Sequence, residues 1–478
     1  MSLIINKALE LPLTQFSEVV TAQNTPIIQI TAQYGITDKI VTAAIGGSVS
    51  AANSLFVANT GTSATGVAAI LSDREISYRA GQGLRTIFSS IFSAGVANST
   101  QEAGLITSES AFAFGFDGVD FGVLHSKDGL LEIQELQVTT PAAGAESASV
   151  TVDGTLFVIP ITAGIVQQNA YQISAYLTAN DPRYRYTSNN DTVNIIARLP
   201  EQGSGAFTFS SSGAAIASFT EISTGVIPTE YWTPKANWNV NPNFDIDPEL
   251  GNVYMIQYAY TGFDGIKYYI KDRLTNDFEL VHIEQYANTT TAVNATNPTF
   301  RVGWACRNTG NTTNISVKGS SAGAFIEGLH IIDSLGKGKC QTSSITFGAD
   351  RNVLSFRNRE VFNGAANRSE TFIFGVSLAT EATKLTIFKI IKNPILSSGF
   401  LTFQYFNETT SLMEFASNNV TITGGEEVAC YATNSDIIVD LSELLGGITS
   451  GDTYSITAEF ASGAAADMNV SLSWKDDF

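Results

Sequence analysis

The chain has 478 residues and is acidic but weakly charged, with a formal net charge of -19, 15% charged residues and 44% hydrophobic residues. Ordinary soluble domains carry roughly 25% charged residues, so we expect a polar, weakly charged surface here. The net charge is negative and no cluster of basic residues stands out in the sequence, which excludes direct binding of a nucleic-acid backbone.

The length allows about three domains at roughly 150 residues each. The three cysteines, Cys306, Cys340 and Cys430, form no CxxC or Cys/His cluster. They predict neither a zinc site nor a disulfide framework, and no cofactor is expected.

The first 30 residues contain apolar side chains spaced for an extended segment. Two interpretations stay open: an arm that docks on a neighbouring subunit, or a strand of the chain's own sandwich. Lys7 and Glu10 interrupt the apolar core that a signal peptide needs. No run approaches the roughly 20 apolar residues of a membrane helix, so no membrane partner is predicted.

Strand and turn patterns alternate from Thr25 onward, in segments such as KIVTAA, VAAILSD, EISYRAGQG and LRTIFSSIFS. The clearest is SAFAFGFDGVDFGVLHSKDG, where Phe112, Phe114 and Phe116 alternate with small residues and Asp117-Gly118 marks a tight turn. This pattern predicts an antiparallel hairpin with aromatic rings on one face. That face needs a second sheet to cover it, so the hairpin predicts a sandwich.

The character changes between residues 146 and 211. Two short strands are followed by QQNAYQISAYLTAN, in which Val166, Ala170, Ile173 and Leu177 fall at helical spacing. Pro182 ends this helix, and two more strands follow. The segment predicts a small α+β unit inserted in the sandwich.

An aromatic connector, GVIPTEYWTPKANW, precedes the return of alternating strands. Trp232 and Trp238 could stack on a sugar ring, or they could fasten the connector to a core. These two tryptophans are the candidate glycan contacts of the sequence. Both interpretations stay open at this point.

Short strands at regular spacing fill the chain after residue 338, the pattern of a jelly roll or similar sandwich. The predicted fold class is therefore all-β: a concanavalin-like β-sandwich with a small α+β insertion, followed by a C-terminal jelly-roll-like β-sandwich. The predicted boundaries are 1–145 and 212–338 for the first sandwich, 146–211 for the insertion and 339–478 for the last domain.

No motif for catalysis or metal binding is complete. His125, His282 and His330 belong to no HExxH motif, and the sequence has no GxSxG motif whose serine they could activate. We therefore interpret them as structural or surface residues. Asp245, Asp247 and Glu249 resemble the start of a calcium loop, but Leu250 stands where glycine is required.

Carboxylate pairs for glycoside hydrolysis would have to be judged from a structure. Glu279 with Glu284 and Glu132 with Glu135 are the pairs to inspect. No catalytic residue and no metal ligand is predicted, and the chain is expected not to be an enzyme.

Several blocks in order resemble a family of predicted virion structural proteins of marine tailed phages and of large DNA viruses of algae and protists. They are YRAGQGLRTIFSSIFSAGVANSTQ, SAFAFGFDGVDFGVLHSKDG, TVDGTLFVIPIT, WTPKANWN, VYMIQYAYTGFDGIKYYIKDRLTNDFELVHIEQYANTT and SLSWKDDF. The resemblance covers nearly the whole chain, with Ala80 standing where a proline is common. The family's motifs are turn and core residues, so none transfers as a site.

The resemblance implies a non-enzymatic component of a virion, as a capsid-associated, spike or fibre-type assembly. Its partners would be copies of itself in a homo-oligomer and other capsid proteins, and weakly charged faces suit such contacts. One alternative is a lectin-like protein that binds host-surface glycan for attachment. The second alternative is a polysaccharide hydrolase or lyase.

Overall fold

The computed structural model describes residues 24–77, 81–198, 205–259, 261–328, 332, 334–380, 384–442, 445–462 and 465–477. His330 and residues 1–23 of the N-terminal segment lie outside these residues, and the described part of that segment, Asn24–Thr31, pairs with Ser321–Glu327 as a strand of the chain's own first sandwich. The described chain forms 36 strands and one α-helix. No helix in this part of the chain is both long and apolar enough to cross a membrane.

The strands up to residue 140 are β1 (Asn24–Thr31), β2 (Ile40–Ile45), β3 (Ser48–Ala52), β4 (Leu55–Asn59), β5 (Val67–Ser72), β6 (Gly83–Phe92), β7 (Ser99–Ile106), β8 (Ala111–Asp117), β9 (Asp120–Lys127) and β10 (Ile133–Thr140). The next elements are β11 (Glu146–Val152), β12 (Thr155–Ile161), α1 (Val166–Asn180), β13 (Tyr184–Asn189), β14 (Thr192–Ala197), β15 (Thr208–Ser211), β16 (Ile216–Ser223) and β17 (Thr229–Pro234).

After the connector come β18 (Asn252–Ala259), β19 (Ile266–Lys271), β20 (Phe278–Glu284), β21 (Arg301–Asn308), β22 (Ser316–Gly319) and β23 (Ser321–Glu327). The chain continues with β24 (Lys337–Ile345), β25 (Arg351–Asn358), β26 (Val361–Phe362), β27 (Ala365–Ala366), β28 (Glu370–Thr380), β29 (Thr386–Leu396), β30 (Gln404–Tyr405), β31 (Met413–Ala416), β32 (Ile422–Thr433), β33 (Ile437–Asp440), β34 (Gly447–Ile448), β35 (Thr453–Phe460) and β36 (Ala466–Asp477).

The chain divides into two compact units. The first comprises Met1–Thr107, Ala111–His125 and Glu230–Ile331, and the second comprises Ser108–Ser110, Ser126–Thr229 and Ile332–Phe478. The predicted α+β segment, 146–211, lies in the second unit. The predicted boundaries at residues 145, 211 and 338 stay predictions.

The first unit is a β-sandwich of two antiparallel sheets. One has seven strands in the order β17-β9-β8-β7-β21-β5-β2, and the other has nine and includes β20-β19-β18-β6-β22-β4-β3. Aromatic rings from both sheets meet in the core, where the ring centroids of Phe114 and Tyr254 are 4.8 Å apart. The predicted hairpin is confirmed as β8 and β9, with Gly118 in the left-handed backbone conformation that its turn requires.

The described part of the second unit holds two main apolar cores. In the α+β segment, α1 buries Ala170, Ile173 and Leu177 against the sheet β13-β14-β10-β16 and the sheet β12-β11-β15, as the helical spacing predicts. Further along, the sheets β24-β36-β28-β33 and β30-β31-β25-β35-β29-β32 share a separate apolar core. The predicted all-β class with two sandwiches and one small helical segment is therefore confirmed.

Candidate functional site

The seven-stranded sheet of the first unit has two unlike faces. Its inner face carries the sandwich core, to which Phe112, Phe114 and Trp304 belong. Alternate residues of the same strands point to the opposite face, which we call the outer face. A second, smaller apolar cluster lies there and includes Ala113 and Leu124.

Strand register aligns polar side chains in one row of the outer face. Thr100 of β7 has Arg307 of β21 as its cross-strand partner on one side and Asp117 of β8 on the other. Two residues further along β7, Glu102 has Ala305 and Gly115 as its partners. The register therefore brings a guanidinium and two carboxyl side chains onto neighbouring positions of three strands.

Strand β17 adds two side chains to this row. The Arg307 guanidinium donates to a Glu230 carboxylate oxygen and, through Nε, to Thr100 Oγ1 at 3.0 Å. Trp232 Nε1 donates to the other Glu230 oxygen at 3.4 Å. We call Thr100, Glu102, Asp117, Glu230, Trp232 and Arg307 the outer-face cluster.

Small residues form the floor beside the outer-face cluster. Ala113 and Ala305 belong to the apolar cluster on which the half-buried Trp232 packs. A Cβ atom on Gly115 would lie 1.7 Å from the carbonyl oxygen of Gln101, so only glycine fits beside Glu102.

Burial shapes the electrostatics of the outer-face cluster. It raises the pKa of Glu102 to about 7, with the negative charge of Glu230 adding to the effect and Arg307 opposing it. Burial and Glu230 also raise the pKa of Asp117. Burial disfavours the charge of Arg307, but Glu102 and Glu230 outweigh it and raise the pKa of the guanidinium. Three carboxyl groups therefore share one cation, so one of them can stay protonated near neutral pH.

The two tryptophans singled out by the sequence lie in different places. Trp232 is half-buried on the outer face. Trp238 is 2% exposed and packs in the sandwich core against Phe114 and Phe121. Trp238 therefore has no ring face open to a ligand. Its contacts are those of a residue that fastens the connector to the core.

Three of the four inspected carboxylates have local partners. Glu284 contacts His125, and Glu279 accepts from Asn241. In the second unit, Glu132 accepts from Tyr184 at 3.0 Å and from Gln134 at 3.2 Å. Burial raises the pKa of both Glu132 and Glu135.

The segment that resembles the start of a calcium loop is held by contacts within the protein. Exposed Asp245 pairs with Arg273 at 3.2 Å, and Asp247 Oδ1 accepts the backbone amide of Glu249 at 3.0 Å. Within the described ranges, no three His, Cys, Asp or Glu side chains cluster so as to hold a metal ion.

The two described histidines are buried on strands of the first unit. His125 is 2% exposed, and His282 is 6% exposed and accepts the backbone amide of Asn239 at 3.3 Å. Burial lowers the pKa of His282, so its ring stays neutral at neutral pH.

Sequence reasoning missed Glu102, Asp117, Glu230 and Arg307 as a group. The available signal was the alternation of side chains along a strand. In STQEAGLI and RVGWACRN, Glu102 and Arg307 alternate with the core residues Ala103 and Cys306. This alternation predicts that Glu102 and Arg307 both point away from the core. It does not predict which strands are neighbours in the sheet.

No protein-family model matches the chain, and no curated protein sequence matches it. Among solved structures, the carbohydrate recognition domain of Emp46p in its metal-free form is similar at 9% identity and a TM-score of 0.24, covering 61% of this chain and 89% of that one. The Emp47p carbohydrate recognition domain has 7% identity and a TM-score of 0.26, covering 65% and 98%. The Bauhinia forficata lectin in complex with GalNAc has 10% identity and a TM-score of 0.22, covering 64% and 98%.

Proposed function

We propose that this protein is a lectin-like, non-enzymatic glycan-binding protein and that the outer-face cluster of the first unit is its saccharide site. The observation that carries the proposal is the grouping of the half-buried Trp232 with Glu230 and Arg307 beside a floor of small residues. Host-surface glycan is the partner that this function implies.

The chemistry of the outer-face cluster suits a sugar. Carboxylate and guanidinium groups bind neighbouring hydroxyl groups through paired hydrogen bonds, which fix their orientation. An indole ring provides a flat apolar surface for the C–H face of the same sugar, while its N–H stays hydrogen-bonded. The exposed Asp117 adds a further acceptor along the row.

Binding fits the contacts of Glu230 better than catalysis does. Glycoside hydrolysis needs two carboxyl groups that both face the scissile bond. Glu230 is engaged by Arg307 and by Trp232. These contacts orient its carboxylate for recognition and do not leave it free to attack a substrate.

A glycan array probed with the full chain tests the saccharide site. We expect binding to a defined set of glycans that is lost in Trp232→Ala and in Arg307→Gln. The matched controls are Tyr34→Ala, which removes a 78% exposed ring, and Arg273→Gln, which removes an exposed guanidinium. Both controls should bind as the natural chain does.

Three outcomes would overturn the saccharide proposal. One is no glycan binding by the natural chain, and another is binding that Trp232→Ala and Arg307→Gln leave unchanged. The third is release of reducing ends from a bound polysaccharide, which would replace a binding function with a hydrolase.

A virion structural role is the second candidate, and the resemblance of the sequence blocks implies it. Exposed apolar side chains support it: Leu274 is 81% exposed in the first unit, and Ile438 is 86% exposed in the second. A surface with few charges loses little hydration when it packs against another subunit. In this role the protein would be located in the virion, as a homo-oligomer in contact with other capsid proteins.

The native mass by light scattering tests this second candidate. A defined oligomer whose mass falls in Leu274→Asp or Ile438→Asp would support self-assembly. A monomer at every accessible concentration would count against a homo-oligomer and leave glycan binding as the function to pursue.

A further inference from the structure

The second unit contains a cavity of about 500 Å³. This volume is in the range of small-ligand sites, roughly 300 to 1,000 Å³. The start of α1, the turn between β13 and β14, and the segments around β24, β30 and β31 supply its lining. The lining residues used below are Gln167, Asn190, Lys339, Gln404, Tyr405 and Phe406.

Part of the polar lining is fixed by internal hydrogen bonds. Gln167 Nε2 donates to Asn190 Oδ1 at 3.1 Å, and the Asn190 backbone amide donates to the Phe403 carbonyl at 2.8 Å. These bonds hold the Gln167 amide in one orientation and leave its Oε1 atom as an acceptor. A preorganised polar group of this kind loses little conformational entropy when a ligand binds.

Other polar groups of the lining are open. Within the residues that the structure describes, the side-chain amide of Gln404 and the Tyr405 hydroxyl have no hydrogen-bond partner. Burial raises the pKa of Tyr405 to about 12, so this hydroxyl keeps its proton at physiological pH. An amide and a hydroxyl each donate and accept, which matches the hydroxyl groups of a sugar.

Tyr405 and Phe406 are two of the aromatic residues of the lining. The Arg359 guanidinium lies 4.9 Å from the centroid of the Tyr405 ring, which restrains that ring. Phe406 packs edge-on against Trp474 with ring centroids 4.8 Å apart, yet it remains 39% exposed. An exposed ring held from behind offers a flat surface to the C–H face of a sugar.

Lys339 is the charged side chain of the lining. It is half-buried, and no acidic partner or hydrogen bond satisfies its ammonium group in the described part of the chain. None of the described lining residues carries a carboxylate. In a chain with a net charge of -19, an unpaired cation beside neutral amides and hydroxyls selects a ligand with an anionic group.

We propose that this cavity binds a short acidic saccharide, with Lys339 contacting the anionic group, Gln404 and Tyr405 contacting hydroxyl groups, and Phe406 packing on the sugar ring. The inference is independent of the outer-face cluster, because it uses other residues in the other unit. It adds a second binding site with a different ligand class.

Titration calorimetry on the full chain tests the proposal, with trigalacturonate as the probe. We expect saturable binding that weakens as salt is added, because part of the attraction is between charges. Lys339→Gln should weaken it about tenfold or more, since a charge-assisted hydrogen bond is lost. Gln404→Ala, at an exposed position, should weaken it less.

The controls separate this site from the outer-face cluster and from unspecific attraction. Lys235→Gln removes a lysine of the first unit and should leave trigalacturonate binding unchanged, as should Trp232→Ala. Thermal unfolding of each variant checks that it is folded. The neutral methyl ester of the probe should bind more weakly than the acid.

Several results would overturn the proposal. These are no binding by the natural chain, binding that survives both Lys339→Gln and Gln404→Ala, or a loss of binding in Trp232→Ala alone. Equal binding of inorganic sulfate or of hexaglutamate would show that the cavity selects charge, or a peptide, and not an acidic saccharide.

Discussion

The imidazole of His125 lies between two oxygen atoms: its Nδ1 is 2.6 Å from Glu284 Oε2, and its Nε2 is 2.8 Å from the carbonyl oxygen of Asn294. A carbonyl oxygen only accepts, so Nε2 carries a proton. The Tyr286 hydroxyl oxygen also lies 3.1 Å from Nδ1. Tyr268 donates to the other oxygen of Glu284 at 3.2 Å. This network links β9 of one sheet of the first unit to β19 and β20 of the other.

We predict that His125→Phe destabilises the protein by about 3 kcal/mol, because it removes the imidazole that pairs with the partly buried Glu284 carboxylate. Urea unfolding followed by circular dichroism would measure the change. The Glu284→Gln variant completes a double-mutant cycle, in which the two changes together should cost clearly less than their sum. Additive costs would mean that the two side chains do not interact.

We predict that Glu102→Gln stabilises the protein at alkaline pH and leaves it unchanged at acid pH. Glu102 ionises near pH 4.5 in the unfolded chain and near pH 7 in the folded chain. The unfolded state therefore loses its proton first, and the stability of the natural chain falls as the pH rises from 4.5 to 7.

The glutamine variant lacks this loss, so we expect it to be more stable than the natural chain by about 3 kcal/mol at pH 8 and equally stable at pH 4. Denaturant unfolding at the two pH values measures the difference. Glu249→Gln, at an exposed position, is the control variant. A stabilisation by Glu102→Gln that is the same at both pH values would contradict the raised pKa.

We predict that Trp238→Ala and Trp232→Ala differ in stability. Trp238 is 2% exposed in the sandwich core, so its truncation should cost about 3 to 5 kcal/mol. Trp232 is half-buried on the outer face, and its truncation should cost about 1 kcal/mol. Thermal unfolding compares the two variants, and an equal cost would mean that both rings are equally buried in solution.

We predict that two of the three thiols react in the folded protein. Cys340 and Cys430 are exposed, whereas Cys306 is buried and its burial raises its pKa to about 12. Thiolates are the reactive form, so iodoacetamide at pH 8 should add two groups to the native chain and a third only after unfolding in urea. Mass spectrometry counts the groups, and fast addition of three to the native chain would contradict the burial of Cys306.

Local patterns predicted the elements that a short stretch of chain can specify. Alternation of Phe112, Phe114 and Phe116 with small residues predicted β8, and its aromatic face is buried in the sandwich core. The helical spacing of Ala170, Ile173 and Leu177 predicted α1. Such patterns succeed because the period of side-chain burial is a property of the strand or helix itself.

One predicted strand, EISYRAGQG, is not a strand in the described residues. There, Ile76 makes an isolated bridge to Phe300, and residues 78–80 lie outside the description. Ile76 and Phe300 exchange two backbone hydrogen bonds, and the Glu75 side chain accepts from Arg301 at 3.0 Å, so one bridge and one ion pair hold this segment. The alternating pattern could not reveal whether a neighbouring strand was available to pair with it.

The sequence by itself determined the all-β class, the aromatic hairpin, the single helix of the described chain and the acidic, weakly charged character, because these depend on residues close together in the chain. Only the tertiary structure decided that Glu102, Glu230 and Arg307 share one face, and that Trp238 lies in the core while Trp232 does not. Strand order and register bring together residues that are far apart in sequence, and burial then alters their pKa values. Neither effect can be predicted from a local sequence pattern.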